Sequence, residues 1–173
     1  NTGQVILANC HNCSIKKLNL SNVDVAIQLV HSSNNIISGN SIKNTFIYGI
    51  WLDHNSNSNS IFYNNFIDNN INLFNYGDND FDNGRRGNYW SDYTLRYPDA
   101  KPLLNGVWNT PYLISYSSDL IEYDNYPLVQ PYVNVKSKSK IAFTISTYTF
   151  NSFLDNYSLI LKFLKFLKVK INV

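Results

Sequence analysis

Two histidines recur at the same place in consecutive segments of the chain, as Leu29-x-His31 and Leu52-x-His54. If the two segments stack as neighbouring strands, the imidazoles lie about 5 Å apart, one above the other. Imidazole nitrogens are common ligands of copper and zinc, and a carboxylate such as Asp78 in the next segment could complete such a site. The alternative is an exposed polar ladder that binds no metal.

A second group of metal-ligating side chains alternates in the segment GDNDFDNG, where Asp78, Asp80 and Asp82 occupy every other position. This start is typical of calcium-binding loops, but Gly84 comes one place late and the final ligand position holds Tyr89 rather than glutamate. The segment is therefore not an EF-hand loop. It predicts either an irregular calcium site or a solvated acidic turn.

Polysaccharide cleavage would need a pair of carboxylates, or calcium together with a basic residue. The chain has one glutamate, Glu122, and its one cluster of acids with arginine is the acidic turn followed by Arg85 and Arg86. We interpret the two arginines either as part of a catalytic cluster or as loop residues that neutralise the aspartates.

The segment Cys10-His11-Asn12-Cys13 is a C-x-x-C motif. A zinc site of this type needs a second pair of ligands, and the chain has no further cysteine. The motif therefore predicts either two turn residues or a local disulfide.

Three aromatic residues, Tyr48, Trp51 and Tyr63, are candidates for stacking against sugar rings. Because Trp51 lies between Ile50 and Leu52, it points outward if they point inward. Exposed aromatic side chains on a flat sheet suit carbohydrate binding, and the alternative is contact with a neighbouring loop.

These residues lie in a short repeat, whose three copies are residues 12–33, 34–56 and 57–79. A period of about 22 to 24 residues, with brief alternating apolar runs, is typical of a solenoid of stacked strands. Corresponding apolar residues should stack in inward columns, and polar turn residues should form a column of their own. The apolar columns are Ile15, Ile37 and Ile61, then Leu20, Ile42 and Phe66, then Leu29 and Leu52; the turn column is Asn22, Asn44 and Asp68.

The composition favours a protein that meets sugars or a cell surface rather than nucleic acid. The chain is 44% hydrophobic and only 15% charged, and 28 of its 173 residues are Asn. No apolar run reaches the length of about 18 residues that a membrane-spanning helix needs. Because the repeat is already running at Val5 and no Met is present, we expect further coils and a signal peptide to precede this sequence.

Charge is distributed unevenly along the chain. Residues 1–133 carry 7 basic and 11 acidic side chains, whereas residues 134–173 carry 7 Lys and one Asp, which predicts a separate basic tail. Within the tail, residues 159–168 read LILKFLKFLK, which as a helix would be amphipathic, with its lysines on one side. Such a helix could make peripheral contact with an anionic membrane. The alternatives are docking on the body of the protein and a loosely ordered tail.

The third copy of the repeat runs into DFDNGRRGNYWSDY (residues 80–93), and NTPYLI (109–114) and DNYPLVQPY (124–132) follow. These words, in this order after Asn-rich coils, closely resemble the closing region of NosD-like right-handed parallel β-helix proteins, many of them archaeal secreted or surface proteins. The resemblance covers roughly residues 5–132 and implies an all-β fold, a right-handed parallel β-helix. It also implies an aromatic cap over the open end of the coils, which would otherwise expose an unpaired strand edge.

We therefore expect β-helix coils over residues 1–79, the cap over residues 80–133 and the basic tail over residues 134–173. The expected role is an extracellular or cell-surface module, binding or structural, with a polysaccharide or cell-surface glycan as partner. One alternative is a polysaccharide-active hydrolase or lyase whose catalytic coils lie outside this sequence. Another is a NosD-like accessory protein for copper-site assembly. No cofactor is predicted apart from calcium or copper at the candidate sites, and no nucleic-acid partner is expected.

Overall fold

The computed structural model describes residues 4–116 and 121–133. Ten short strands wind into about four stacked turns. They are β1 (Val5–Ala8), β2 (Ser14–Lys16), β3 (Asn19–Ser21), β4 (Val25–Val30), β5 (Ile36–Ser38), β6 (Ser41–Lys43), β7 (Tyr48–Leu52), β8 (Ser60–Phe62), β9 (Asn65–Ile67) and β10 (Ile71–Asn75).

Strands of consecutive turns pair in parallel, and each of three sheets collects strands from successive turns. The strand orders are β1-β4-β7-β10, β2-β5-β8 and β3-β6-β9-β11, where β11 is Tyr89–Trp90. Parallel pairing between turns satisfies the backbone groups that a single coil would leave free. The predicted fold class is confirmed: the chain is a parallel β-helix.

The pairing register confirms the predicted columns. Ile15, Ile37 and Ile61 are Cα partners along β2-β5-β8, and all three are buried. The offset is 22 residues from Ile15 to Ile37 and 24 from Ile37 to Ile61, so the turns absorb the difference. A slip of one residue within a strand would instead exchange its inward and outward faces. The other two columns pair as predicted, Leu20-Ile42-Phe66 in one sheet and Leu29-Leu52 in the other.

The predicted turn column also forms. Asn22, Asn44 and Asp68 have φ values of +56°, +50° and +52°, in the left-handed region. Asn and Asp tolerate this conformation better than other residues with a Cβ atom, because their short side chains bond locally to the backbone. The abundance of Asn thus supports the tight corners of the coils.

The first strand of the cap, β11, adds one more parallel strand to the sheet β3-β6-β9, and the elements that follow it do not continue the coils. Trp90 in β11 pairs in parallel with Phe66 and stacks on it, with 4.4 Å between ring centroids. Tyr112 stacks on the other side of Trp90 at 4.2 Å, so aromatic rings close the end of the inward column that begins at Leu20. The remaining cap elements are α1 (Tyr93–Arg96) and an antiparallel pair, β12 (Tyr112–Tyr116) with β13 (Ile121–Asp124).

Residues 1–134 group into one compact unit, and the coils and cap belong to it together. The predicted basic tail and its helix at residues 159–168 lie outside the described residues. Within residues 4–116 and 121–133, no helix has the length and apolar character needed to cross a membrane.

Candidate functional site

An aromatic face, formed by Tyr48, Trp51, Phe74 and Tyr76, lies on the sheet β1-β4-β7-β10. Phe74 is the Cα partner of Trp51, and its ring centroid lies 5.1 Å from that of Tyr48 and 4.8 Å from that of Tyr76. The residues on either side of Trp51 are buried, so strand alternation directs Trp51 outward, as predicted. Tyr76 is 61% exposed, which leaves one edge of the face open to solvent.

Amide side chains adjoin the aromatic face. Gln28 is the Cα partner of Trp51 in the preceding coil, and it accepts a hydrogen bond of 3.2 Å from the Nε2 group of Gln4. Ile6 continues the same column and is 57% exposed. The column Ile6-Gln28-Trp51-Phe74 thus offers apolar and amide groups without a charge.

The third predicted aromatic residue, Tyr63, lies apart from the aromatic face, in the turn between β8 and β9. Its ring stacks on Tyr132 with 4.5 Å between centroids, and its backbone N–H donates to the carbonyl of Gly87. The structure therefore brings Tyr48 and Trp51 to one face and places Tyr63 at the junction between the coils and the cap.

The two predicted histidines converge on one side chain, Asn55. The Nδ2 atom of Asn55 lies 3.0 Å from Nε2 of His31 and 3.1 Å from Nε2 of His54. Because an amide NH₂ group only donates hydrogen bonds, both imidazole nitrogens act as acceptors, and their lone pairs point towards the same place. On the other side of its ring, Nδ1 of His31 lies 3.3 Å from the carboxylate of Asp53.

Asp53 is held as a carboxylate behind this histidine pair. Burial by itself would raise its pKa, but hydrogen bonds from the Ser56 hydroxyl and from the backbone of His31 and Asn55 outweigh burial and lower the pKa. The Ser56 hydroxyl donates at 2.6 Å. A carboxylate at Nδ1 favours the tautomer with its proton on Nδ1, so that Nε2 of His31 carries the lone pair that faces Asn55.

The three predicted acidic ligands do not share a centre. Asp78 and Asp80 are exposed, whereas Asp82 is half-buried and accepts hydrogen bonds from Asn125 and from the backbone of Gly84. In the part of the chain that the structure describes, no group of three or more His, Cys, Asp or Glu side chains is arranged to hold a metal ion. Asp82 instead ties the acidic turn to the cap.

The two cysteines of the C-x-x-C motif are bonded to each other. Cys10 and Cys13 form a disulfide in the turn that precedes β2. Of the two alternatives that the sequence left open, the structure contains the local disulfide. Neither sulfur is then a thiolate that could bind a metal ion.

Two buried carboxylates in β13, Glu122 and Asp124, have a role that was not predicted from the sequence. Glu122 accepts the backbone N–H of Asn79 at 3.2 Å, and Asp124 accepts that of Asn88 at 2.7 Å. Their positions at i and i+2 of a strand were a usable signal, since alternate residues share a face. Each carboxylate ends one of two ladders of buried asparagines. In each ladder the Oδ1 atom of an asparagine accepts the backbone N–H of the equivalent asparagine in the preceding coil. Glu122 ends the ladder Asn35-Asn59-Asn79, and Asp124 ends the ladder Asn40-Asn64-Asn88.

A second feature missed from the sequence is a pocket of about 280 Å³ beside β10, lined in part by Asp92, Arg96 and Tyr112. Asp92 accepts hydrogen bonds from the Tyr112 hydroxyl and from Asn72, both at 3.0 Å. The guanidinium of Arg96 lies over the Tyr112 ring at 4.3 Å, and burial raises the pKa of Tyr112. These polar groups satisfy one another's hydrogen bonds and hold the coils against the cap, so we assign the pocket a structural role.

Comparison with known proteins gives one family. The family described as "Periplasmic copper-binding protein (NosD)" matches residues 1–95, which include all ten coil strands and β11. No curated protein and no solved structure matches the chain. The matched region covers more than half of the chain, and the stacked parallel coils agree with it. The chain belongs to the NosD family.

Proposed function

We propose that this chain is an extracytoplasmic β-helix module that binds carbohydrate through its aromatic face. The observation that carries the proposal is the outward cluster of Tyr48, Trp51, Phe74 and Tyr76, on a sheet whose inward residues Ile50, Leu52 and Leu73 are buried. Ring faces on a rigid sheet suit the C–H faces of sugars, because little side-chain entropy is lost on binding.

The surroundings of the aromatic face support a sugar better than a purely apolar partner. Amides of Gln4 and Gln28 can exchange their mutual hydrogen bond for bonds to sugar hydroxyls. The column through Trp51 carries no charge, so a neutral segment of glycan would meet no unpaired ion there. The family description adds a location outside the cytoplasm, where surface polysaccharides are found.

A glycan array, followed by affinity measurement on the best binder, tests this proposal. Trp51→Ala should weaken binding about tenfold or more, because a central aromatic anchor contributes at least about 1.4 kcal/mol. Leu95→Ala is the matched control, since Leu95 is an 85% exposed apolar residue of α1 and is not part of the aromatic face. Equal loss in both variants, or no glycan bound at all, would contradict the proposal.

The second candidate function is transition-metal binding, and it is favoured by the histidine pair. His31 and His54 direct two imidazole lone pairs at Asn55. The buried carboxylate of Asp53 orients His31 from behind, an arrangement common among metal-binding histidines. These donors fit copper or zinc, which accept neutral imidazole. His31 and His54 would hold the metal ion after the Asn55 side chain turns away. The bound ion would then be the cargo that an accessory protein delivers to a copper site.

Calorimetric titration with copper and with zinc tests the second candidate. His31→Ala and His54→Ala should each abolish uptake, whereas Asn55→Ala, which removes the competing amide, should preserve or increase it. The control is His11→Ala, because His11 is an exposed histidine outside the pair. Equal uptake by the His31/His54 double variant would dismiss the site.

A polysaccharide-cleaving role receives less support from the described residues. Two carboxylates on one face of β13, Glu122 and Asp124, are buried and accept hydrogen bonds from the asparagine ladders. Those carboxylates are occupied within the fold rather than presented to a ligand. Binding is therefore the function that we propose.

A further inference from the structure

An open groove of about 660 Å³ lies where the coils meet the cap, on the side of Tyr63. Tyr63, Arg85, Arg86, Asn105 and Tyr126 contribute to its walls. The groove is a different surface from the aromatic face, because Tyr63 follows β8, which belongs to another sheet.

The charged side chains that line the groove are all positive. Of the described residues that line it, only Arg85 and Arg86 are charged. No carboxylate of the described residues lies within salt-bridge distance of either guanidinium, since the ion pairs found there join His31 to Asp53 and Arg96 to Asp92. The two arginines therefore do not neutralise the neighbouring aspartates through direct contact.

The nearest acid in the chain, Asp82, is already engaged. It accepts hydrogen bonds from the backbone and the side chain of Asn125 and from the backbone of Gly84. The turn that follows is also fixed, because Asn83 accepts the backbone N–H groups of both Arg85 and Arg86. The two guanidiniums consequently project from a rigid turn rather than from a free loop.

The guanidinium groups keep donors available for a ligand. Arg86 uses Nη1 to donate to the carbonyl of Asn105, and a guanidinium has five N–H donors in total. Arginine binds carboxylates through two parallel hydrogen bonds, which fixes both position and orientation. The tyrosines of the groove, Tyr63 and Tyr126, supply ring surface beside these donors.

We infer that this groove binds the carboxylate of an acidic sugar, a uronate residue within a glycan. The inference rests on the proposed carbohydrate-binding function and names the chemical class of one part of its ligand. The carboxylate would pair with Arg85 and Arg86, and the sugar ring would lie beside Tyr63 and Tyr126.

Calorimetry with oligogalacturonate tests the inference, with the methyl-esterified oligomer as the uncharged comparison. The acidic oligomer should bind about tenfold more tightly than its ester, and Arg85→Gln and Arg86→Gln should each remove that preference. Arg85→Lys keeps the charge without the planar fork, and it should retain only part of the preference. Lys16→Gln is the control for the loss of one positive charge, because Lys16 is exposed on β2 in the first coil.

Three outcomes separate the inference from the proposed function. Selective binding that depends on Arg85 and Arg86 supports both. Equal binding of the acidic and esterified oligomers, or arginine variants that behave as Lys16→Gln does, overturns the inference and leaves the proposed function standing. Absence of binding by either oligomer and by every glycan on an array overturns both.

Discussion

At the corners of the coils, buried asparagine side chains form hydrogen bonds between successive coils, as the backbone ladders do within the sheets. Asn64 is fully buried, and its Oδ1 accepts both the backbone N–H and the side-chain amide of Asn40. Its Nδ2 donates to the carbonyl of Ile37 at 2.8 Å and to Oδ1 of Asn88 at 3.0 Å. One residue thus satisfies polar groups in the coils on both sides of it, which would otherwise be desolvated without a partner.

Replacing Asn64 should therefore be costly. Asn64→Ala leaves the buried N–H of Asn40 without its partner, at about 1–3 kcal/mol, and removes the side-chain hydrogen bonds to the carbonyl of Ile37 and to Asn88. We expect a loss of roughly 2–5 kcal/mol in the free energy of unfolding, measured by urea denaturation. Asn70→Ala, at an exposed asparagine, should cost less than about 1 kcal/mol. Equal losses in the two variants would contradict the role assigned to the ladder.

The carboxylate of Asp124 ends this ladder and makes the stability depend on pH. Burial raises its pKa from 3.8 to about 7, although N–H groups of Asn88, Trp90 and Tyr126 partly offset the effect. The folded state therefore binds a proton that the unfolded state has released between about pH 4 and pH 7. This group favours folding fully below the unfolded pKa, and its contribution is lost as the pH rises through the folded pKa.

Asp124→Asn should remove that contribution. In the wild-type protein, Asp124 lowers the free energy of unfolding by up to about 1.4 kcal/mol per pH unit as the pH rises from 4 to 7. The difference in stability between wild type and Asp124→Asn, measured by denaturation at several pH values, isolates this slope from other groups. Asp24→Asn, at an exposed aspartate in the coils, is the control. A difference that stays constant across the range would show that Asp124 does not titrate there.

At the scale of elements, each column of inward residues joins the turns into one core. Ile42 lies between Leu20 and Phe66 in the sheet β3-β6-β9-β11 and is completely buried. The column continues through Trp90 and Tyr112, so the cap and coils share their apolar contacts. A defect in the middle of such a column is expected to weaken pairing on both sides.

Ile42→Asp tests this continuity. The change buries a carboxylate without a partner, and we expect the stability to fall by about 4 kcal/mol or more, or the chain not to fold. Lys43→Asp places the same side chain on the next residue, which is exposed, and it should change stability by only about 0.5 kcal/mol. Circular dichroism with urea denaturation distinguishes the two. Comparable stability in both variants would be incompatible with Ile42 as a core residue.

The sequence was sufficient for those parts of the fold that repeat. Three copies of one pattern predicted the columns through Ile15 and Leu20 and the turn at Asn22, because stacking places equivalent residues together. The cap was predicted only as aromatic cover. Its pairing of β12 with β13, and the contacts of Glu122 and Asp124 with the ladders, occur once in the chain and so leave no periodic signal.

The candidate sites show the same division. Period and alternation predicted that Trp51 points outward and that His31 and His54 belong together. They could not predict Asn55 between the imidazoles, or the separation of Tyr63 from the other two aromatics, because both depend on how individual turns bend. The groove at Arg85 and Arg86 depends on four separate parts of the chain, and its shape emerges only when the coils and cap are assembled.

At the scale of the whole molecule, the β-helix acts as a rigid support with distinct surfaces. The aromatic face lies on one sheet, the histidine pair follows the ends of β4 and β7, and the arginine groove lies at the junction with the cap. Membrane contact through residues 159–168 and the boundary of the basic tail stay predictions. The proposed carbohydrate binding depends directly on the aromatic face.

Tryptophan fluorescence tests that claim most directly. Trp51 on the aromatic face and Trp108 in the cap are both half-buried, whereas Trp90 is only 1% exposed, so the Trp51→Phe variant is what assigns a change in quenching to Trp51. A polysaccharide identified on the array should shield Trp51 from acrylamide and so reduce quenching, and Trp51→Phe should abolish the change while retaining measurable binding. Bound polysaccharide that leaves the quenching of Trp51 unaltered would contradict the account.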